Sequence, residues 1–419
     1  MTVIIAGGGI GGLALALALE ARGIGAQVFE ASAEIRELGV GINILPHAIR
    51  ELAGLGLLDR LDAAGIRTGT LIYRTARGQE ILRQPRGLGA GYDVPQFSIH
   101  RGRLQVLLLE AVRARLGAAA VATGHRLAAH ERTPDGIAAV FETADGPVRV
   151  EGGALVAADG IHSALRRARH PEEGPPRWNG VVMWRGAAWA PAYLGGDSMI
   201  IAGGMSAKLV LYPIASDPAR PDERLTNWVV CASVAEPGAP MPHREDWSRP
   251  GEIAEVMAHV EGKLAVDEID LPALIAATPE FYVYPMCDRD PLAAWSEGPV
   301  TLLGDAAHPM YPVGSNGASQ AILDAVSLAR HLAESPDPAA AFAAYEAERL
   351  PATAAIVEAN RRGGPERVID LVEARAPEGF DDLDRVASAE ELTAIVGQYQ
   401  RVAGFAAEQV NRASGTQPA

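Results

Sequence analysis

The sequence of 419 residues lacks features that define several classes of protein. Its only two cysteines, Cys231 and Cys287, form neither a metal-ligand spacing nor the disulfide framework of a small secreted protein. No cluster of Lys and Arg offsets a formal net charge of -15, so we expect no nucleic-acid partner. No apolar run approaches the roughly eighteen residues that span a bilayer, so we expect no membrane insertion.

The N-terminus also lacks the basic region and small-residue cleavage site of an export signal. Together with the scarcity of cysteine, this predicts a reduced, cytoplasmic protein. The hydrophobic share of 48% and the charged share of 21% are typical of globular chains, so most of the length is expected to fold. A chain of this length usually divides into two or three compact units.

A glycine-rich turn near the N-terminus is the first candidate binding site. The apolar run 2–6 predicts a strand, the Leu/Ala-rich run 13–22 a buried helix, and 27–30 a second strand, which together indicate a βαβ unit. The turn between strand and helix comprises Gly7, Gly9, Ile10, Gly11 and Gly12, and it satisfies the G-x-G-x-x-G pattern. Such a turn lets backbone N–H groups approach a pyrophosphate. Glu30 lies where a ribose-binding acid is expected, although this region alone does not separate FAD from NAD.

Two later segments place an acid beside a glycine after an apolar strand. They contain Asp159-Gly160 and Gly304-Asp305. Asp305 could accept a hydrogen bond from a polyol at the carboxyl end of a strand. Downstream, Pro312, Gly314, Ser315 and Asn316 precede a predicted helix whose N–H groups and dipole could face an electron-rich ring edge. Taken singly, such dipeptides are ordinary turns, so their joint occurrence and order carry the prediction.

With these three motifs in this order, the sequence resembles the group A flavoprotein monooxygenases, which share a fold with p-hydroxybenzoate and salicylate hydroxylases. The resemblance covers nearly the whole chain. It implies that the first glycine motif binds the ADP part of FAD, Glu30 its ribose and Asp305 its ribitol. It further implies that the Asp159-Gly160 pair serves both FAD and nicotinamide binding.

Further segments of the chain match this family. Arg101 resembles the arginine that reaches the cofactor, with Arg103 as the alternative. Val40 and Gly41 lie in a loop similar to the one that passes the flavin ring, and Pro312 with Gly314 resembles the opposite wall. The segments 92–101, 183–186 and 284–291 resemble the phenazine-modifying members.

The resemblance implies an α/β fold, in which a Rossmann-like FAD-binding domain carries an inserted antiparallel β-sheet substrate domain and C-terminal helices. From the pattern of glycines, short β-rich runs and helical periodicity, we place the boundaries as follows. The FAD-binding domain comprises 1–70, 98–178 and 282–345, the substrate domain 71–97 and 179–281, and the C-terminal helical segment 346–419.

The implied activity is hydroxylation of an aromatic or heteroaromatic compound through a flavin hydroperoxide, with O2 and with NADH or NADPH as a transient co-substrate. We assign no catalytic side chain and no metal, and we expect a monomer or homodimer. The candidate substrate residues are Trp184, Met199, Tyr212, Met310 and Tyr311, although such residues at strand spacing are more often ordinary core. Arg185 binds either a substrate carboxylate or a structural ion partner.

Two alternatives remain open from the sequence. The first is a flavin-dependent reductase or dehydrogenase that inserts no oxygen. The second is a non-catalytic dinucleotide-binding protein that keeps the fold. Gain of one oxygen atom in the product excludes the first, and rapid, substrate-stimulated NAD(P)H oxidation excludes the second.

Overall fold

The structure is a computed structural model that describes residues 1–204, 207–241 and 249–412. The strands are β1 Thr2–Ala6, β2 Gly25–Phe29, β3 Gly41–Ile44, β4 Ile66–Arg67, β5 Thr70–Arg74, β6 Glu80–Pro85, β7 Phe97–His100, β8 Val121–Ala122, β9 Arg126–Thr133, β10 Gly136–Thr143, β11 Gly146–Gly152, β12 Ala154–Ala157, β13 Arg177–Pro191, β14 Ser198–Ala202, β15 Ala207–Asp217, β16 Arg220–Ser233, β17 Phe281–Asp288 and β18 Val300–Leu302. The α-helices are α1 Ile10–Glu20, α2 Pro46–Gly54, α3 Leu58–Ala64, α4 Arg101–Leu116, α5 Ala164–Arg169, α6 Ile253–Met257, α7 Leu271–Ala276, α8 Gly317–Glu334, α9 Pro338–Arg361, α10 Arg367–Arg375, α11 Ala389–Val402 and α12 Ala407–Arg412.

A five-stranded parallel sheet organises the first lobe, in the order β18-β12-β1-β2-β8. In the central strand β1, Ile4 pairs with Leu155 of β12 and Ile5 with Val28 of β2. Helices cover both faces of such a sheet, so its strands read as continuous apolar runs. Helix α1 is apolar on all sides and almost wholly buried, because it packs against the sheet, α4 and α8. The predicted Rossmann-like α/β architecture is confirmed.

A seven-stranded sheet forms the second lobe, in the order β17-β13-β16-β15-β14-β5-β6. Its pairs are antiparallel except for β14 and β5, which run parallel. One face packs against α6 and α7. The other face packs against α10 and α11 at one end and against the segment containing Tyr311 and Val313 at the other. Within the described residues, no helix is long and apolar enough to cross a membrane.

Two domain boundaries expected from the sequence differ in the structure. We expected 282–345 to return to the first lobe, but β17 pairs with β13, Met183 lying opposite Tyr284, so 282–288 belong to the second sheet. The boundary at 345 falls inside a continuous helix: α9 begins at Pro338, where the Asp337 carboxylate caps the Ala339 N–H at 3.0 Å. Strand pairing and the continuity of a helix are determined by tertiary contacts, and the local amino-acid composition does not reveal those contacts.

Two smaller sheets complete the fold. Strands β9, β10 and β11 form an antiparallel meander between β8 and β12. Strand β7 lies between β3 and β4 and ends immediately before helix α4. Gly41, the first residue of β3, pairs with the last residue of β7 and so lies beside the start of α4. This small sheet connects the cofactor-side loop around Gly41 to the start of α4.

Candidate functional site

The turn after β1 requires glycine at two positions. Gly7 has a φ of +115°, and a Cβ there would lie 2.2 Å from the Ala158 carbonyl oxygen. A Cβ at Gly12 would lie 2.0 Å from the Gly7 oxygen. Both glycines therefore serve the close packing of turn, helix and neighbouring strand.

Gly9 has a different environment. Its φ of -72° is open to any residue, and a Cβ added there would meet no atom within 4 Å. It precedes the N-terminus of α1, where no side chain caps the helix and the first intrahelical bond runs from the Leu13 N–H to the Gly9 oxygen. The free N–H groups of the first turn and the helix dipole thus border an open surface, which fits a pyrophosphate.

Glu30 is held in position by the same turn. Its Oε2 accepts the Gly8 N–H at 2.7 Å, and its Oε1 accepts the Ser32 N–H at 2.8 Å. The Gln105 side chain of α4 donates to the Gly8 carbonyl at 2.8 Å. The carboxylate is thus oriented beside the glycine turn, as a ribose-binding acid must be. Gln105 was not found from the sequence, because nothing local connects it to residue 8.

The first and third motifs meet at α8. A Cβ at Gly11 would lie 2.7 Å from Leu303 Cδ2 and 3.2 Å from Ala321 Cβ. Asp305 follows at the carboxyl edge of β18, and its Oδ1 would lie 4.0 Å from a Cβ at Gly317, the first residue of α8. The structure therefore brings the glycine turn, the predicted ribitol acid and the N-terminus of α8 together.

Asp305 is solvent-exposed although many protein atoms surround it, because it lies in a recess rather than on a convex surface. Loss of hydration in this recess raises the pKa of Asp305, and the charges of His308 and Arg101 oppose that effect. An acceptor with a neighbouring cation fits a polyol chain.

A buried polar network underlies this turn. Asp324 of α8 is fully buried and contacts His308 Nε2 at 2.5 Å and Arg349 Nε at 2.8 Å. It also accepts the Gly304 N–H at 3.1 Å. Burial raises the pKa of Asp324, but His308 and Arg349 outweigh it and lower the pKa to about 2. Asp324 is therefore the charged group that fixes the Gly304 turn, and the sequence analysis did not identify it.

The second motif has an acceptor available to a ligand. Asp159 Oδ2 accepts the Ala164 N–H at 2.8 Å, whereas Oδ1 is buried without a hydrogen-bond partner among the described residues. Burial raises the pKa of Asp159, opposed by hydrogen bonds from Ser163 and Ala164. Gly160 has a φ of +77° and no atom within 4 Å of an added Cβ. Because Gly7 packs against Ala158, this motif adjoins the first.

The loop before β3 contacts Arg101, which joins two segments that the resemblance assigned separately to the cofactor. The Arg101 N–H donates to the Val40 oxygen at 2.9 Å, and its Cδ would lie 3.7 Å from a Cβ at Gly39. Arg103 instead pairs with Glu37 at 3.0 Å. The charge of Arg101 also lowers the pKa of Asp305, so Arg101 lies nearer than Arg103 to the predicted ribitol acid and stays our candidate for the cofactor arginine.

Gly41 joins this loop to the seven-stranded sheet. Its N–H donates to Asn227 Oδ1 at 2.7 Å, and its carbonyl accepts from Arg185 Nη2 and the Tyr212 hydroxyl, both at 2.8 Å. A Cβ at position 41 would lie 2.7 Å from Tyr212. Tyr212, a predicted substrate residue, therefore holds the Gly41 loop in place, a loop for which the resemblance predicts contact with the flavin ring.

The structure does not bring all five predicted substrate residues together. Tyr311 packs with Met183 and Tyr284 on the face of the sheet that meets the first lobe. Trp184 points to the opposite face, packs among residues of α6 and α7, and stacks on His259 at 5.1 Å between ring centres. The expected pocket containing both Trp184 and Tyr212 is therefore wrong. Trp184 lies opposite Val230 of β16 and Tyr212 opposite Asn227, and residues three apart on a strand face opposite sides.

The side chains of the remaining two candidates pack in other clusters than Tyr311 does. Met199 packs with Tyr212 towards α10 and α11. Met310 is half-buried against the core of the first lobe. A cleft of about 880 Å³ is lined in part by Trp178, Val181 and Tyr311, so it leads from solvent to the Met183 side of the sheet.

The loop before α8 has a strained backbone. Gly314 has a φ of +66° and Ser315 a φ of +58°, a left-handed conformation that disfavours residues other than glycine. Asn316 is fully buried.

In the part of the chain that the structure describes, no group of three or more His, Cys, Asp or Glu residues could hold a metal ion.

Comparison with known proteins identifies the family. Residues 1–360 match the family described as FAD binding domain. Phenazine 1,6-dicarboxylic acid hydroxylase PhzS of Lysobacter antibioticus is 46% identical over 373 residues, which are 88% of this chain and 91% of that protein. 3-Hydroxybenzoate 6-hydroxylase 1 of Aquipseudomonas alcaligenes is 32% identical over 362 residues, 84% of this chain and 86% of that one.

Solved structures agree with this. HpxO of Klebsiella pneumoniae, in complex with FAD and uric acid, is 25% identical, with a TM-score of 0.73 over 99% of this chain and 95% of that one. The open glycine turn, the oriented Glu30 and the recessed Asp305 fit FAD from its phosphates to its ribitol. The chain therefore belongs to the FAD-binding-domain family of flavin-dependent aromatic monooxygenases.

Proposed function

We propose that this FAD-dependent monooxygenase hydroxylates a planar, carboxylated heteroaromatic compound of the phenazine type, using O2 and NADH or NADPH. The observation that carries the proposal is 46% identity over 88% of the chain to a phenazine 1,6-dicarboxylic acid hydroxylase. It covers segments 92–101, 183–186 and 284–291, which resemble the phenazine-modifying members and, apart from Arg101, lie outside the cofactor motifs.

The face of the sheet that meets the first lobe is suited to a flat ring system. Met183, Val229, Cys231 and Tyr284 form one buried apolar cluster there with Tyr311. Aromatic and sulfur-containing side chains pack well against planar rings. Bound FAD supplies electron transfer from the nicotinamide cofactor and activation of O2. The chain's own contribution is to orient the ring and to exclude water from this surface.

Arg185 supplies the charge for a substrate carboxylate. Its Nη2 is committed to the Gly41 carbonyl, but its Nε is buried without a hydrogen-bond partner among the described residues. A buried guanidinium N–H without a partner costs free energy that a carboxylate recovers. Of the two roles left open by the sequence, the carboxylate partner is the one we propose.

A turnover screen tests the reaction class. Purified holoenzyme is incubated with NADH or NADPH and with phenazine carboxylates, hydroxybenzoates, indoles and quinolones, and products are identified by mass. We expect an oxygen-dependent gain of one oxygen atom with a phenazine carboxylate. NAD(P)H oxidation that gives a product without added oxygen supports the reductase alternative instead.

The Arg185→Met variant tests the carboxylate. We expect KM for a phenazine carboxylate to rise about tenfold, the value of a charged hydrogen bond near 1.5 kcal/mol, with little change for an uncarboxylated phenazine. Equal losses for both compounds contradict the proposed contact.

We also propose that the enzyme is cytoplasmic and a monomer or homodimer. Cell fractionation tests the location, and light scattering of the purified protein measures the oligomeric state.

A further inference from the structure

Asn316 stands at the N-cap of α8 but does not cap it. Asn is among the residues that most favour this position, because its side-chain oxygen accepts the free N–H groups of the first turn. Here no side-chain cap bond forms, and the first intrahelical bond runs from the Gln320 N–H to the Asn316 carbonyl. The N–H groups of Gly317, Ala318 and Ser319 are thereby left without an intrahelical acceptor.

The Asn316 side chain is instead held by Tyr399 of α11. Its Nδ2 donates to the Tyr399 hydroxyl at 2.9 Å and to the Gly314 carbonyl at 3.1 Å, and its Oδ1 accepts from Gln320 Nε2 at 3.2 Å. The Tyr399 hydroxyl donates in turn to Asn360 Oδ1 at 2.6 Å. These contacts satisfy the amide through side chains and the Gly314 carbonyl, so it does not bond the backbone N–H groups of the first turn.

Tyr399 also constrains the loop in front of the helix. Its hydroxyl lies 3.2 Å from the Val313 carbonyl oxygen, and a Cβ at Gly314 would lie 2.4 Å from that hydroxyl. The ring is almost fully buried, and burial raises the pKa of the phenol, so it stays protonated and able to donate. The hydroxyl thus accepts from Asn316 Nδ2 and donates its single proton, to Asn360 Oδ1 at the shorter distance, while the strained Gly314-Ser315 backbone packs against it.

Tyr399 lies outside the part of the chain that carries the family motifs. Residues 1–360 match the family, so Asn316 and Asn360 lie within the match and Tyr399 beyond it. Asp305 Oδ1 would lie 4.0 Å from a Cβ at Gly317, so the first turn of α8, with its uncapped N–H groups, borders the recess assigned to FAD.

We propose that Tyr399 is a positioning residue for the flavin: it holds the Asn316 side chain away from the backbone N–H groups of the first turn of α8 and so keeps those groups available to the cofactor. Those N–H groups and the helix dipole stabilise negative charge, which the reduced flavin carries more than the oxidised flavin does. The proposal depends on FAD binding and not on the identity of the aromatic substrate.

The test is Tyr399→Phe, which removes the hydroxyl and keeps the ring. The freed Asn316 amide then competes for the helix N–H groups. We expect the ratio of the affinities for reduced and oxidised FAD to fall on the order of tenfold, the upper value of one hydrogen bond, which is a shift of about 30 mV to more negative potential. Reductive titration of the holoenzyme against a reference dye measures the potential, and titration of apoprotein with FAD measures the affinity.

Tyr92→Phe is the matched control. Tyr92 is also buried, and its hydroxyl donates to the Phe405 carbonyl at 2.5 Å, so this variant removes a second phenol hydroxyl that contacts the C-terminal segment away from the cofactor loop. We expect a similar loss of thermal stability and a wild-type flavin potential. If Tyr399→Phe shows the same pattern as Tyr92→Phe, its role is structural and the proposal fails.

A double-mutant cycle tests the route through Asn316. In the Asn316→Ala background no amide is present to move onto the helix, so Tyr399→Phe is expected to add no further shift in potential. A full additional shift in that background means that Tyr399 acts independently of Asn316, which overturns the proposed mechanism.

Discussion

The cofactor recess and the substrate-facing sheet are built in different ways. The recess is formed largely by backbone groups at the ends of β1, β12 and β18 and at the N-termini of α1 and α8. The sheet face is formed by side chains of β13, β16 and β17, brought together by antiparallel pairing. A site built from backbone groups is specified by short glycine-containing motifs, which can be recognised in the sequence. A face built from side chains is specified by the register between strands that are distant in the sequence.

The largest expected effect tests the first half of this comparison. Gly9→Val adds a side chain that meets no protein atom within 4 Å, so the fold should be retained while the pyrophosphate is blocked. A clash costing about 3 kcal/mol weakens FAD binding on the order of 100-fold. Thermal unfolding and FAD titration of the apoprotein measure the two properties separately.

Gly12→Val is the contrasting variant, since its Cβ would lie 2.0 Å from the Gly7 oxygen. It should lower the yield of folded protein itself. If Gly9→Val retains normal FAD occupancy, the pyrophosphate does not lie where we place it.

The second prediction concerns Asp305, the side chain that we assign to the ribitol. Asp305→Ala removes a charged acceptor worth about 2 kcal/mol, so the dissociation constant of FAD should rise roughly thirtyfold. Dialysis followed by absorbance at the flavin band reports retention. An unchanged dissociation constant would show that Asp305 does not contact the cofactor.

The third prediction uses pH to probe the buried polar groups behind the recess. Burial, reinforced by Arg349, lowers the pKa of His47 from 6.5 to about 3. The folded protein therefore keeps His47 neutral while the unfolded chain protonates it, so its stabilising contribution is complete above pH 6.5 and is lost as pH falls towards 3. The loss is about 1.4 kcal/mol per pH unit within that window.

His47→Phe, which keeps a ring beside Phe405, should flatten the dependence of unfolding free energy on pH between 6.5 and 4.5 relative to the wild type. Denaturant titrations at fixed pH values measure this slope. Identical slopes for the two proteins would show that His47 titrates normally in the folded state.

The smallest expected effect separates the two faces of the sheet. Met183→Ala removes part of the face that meets the first lobe, and losing about 1 kcal/mol of apolar contact should raise KM about fivefold. Trp184→Phe alters the opposite face and should change KM less than about twofold. A larger effect at Trp184 than at Met183 would reverse our assignment of the faces.

The sequence allowed the fold class and the backbone-built part of the site to be predicted, because strand, glycine turn, helix and acid lie within thirty residues of one another. It did not reveal Asp324, Gln105 or Tyr399. Each is an ordinary helical residue by local pattern, and its role arises from a partner brought close only by the tertiary fold. The prediction that Trp184 lines the substrate pocket was wrong for a similar reason. The sequence shows that side chains alternate along β13, but packing decides which of the two sets faces the first lobe.

The arrangement of the first lobe also bears on how the protein is made. Strand β1 leaves the ribosome early, yet its neighbour β12 and the edge strand β18 follow about 150 and 300 residues later. At about 5–20 residues per second, the interval up to β18 and α8 lasts on the order of 15–60 s. During translation helix α1, which is buried over most of its length in the folded protein, has no α8 to cover it. We therefore expect truncated chains that end before α8 to aggregate more readily than the full chain.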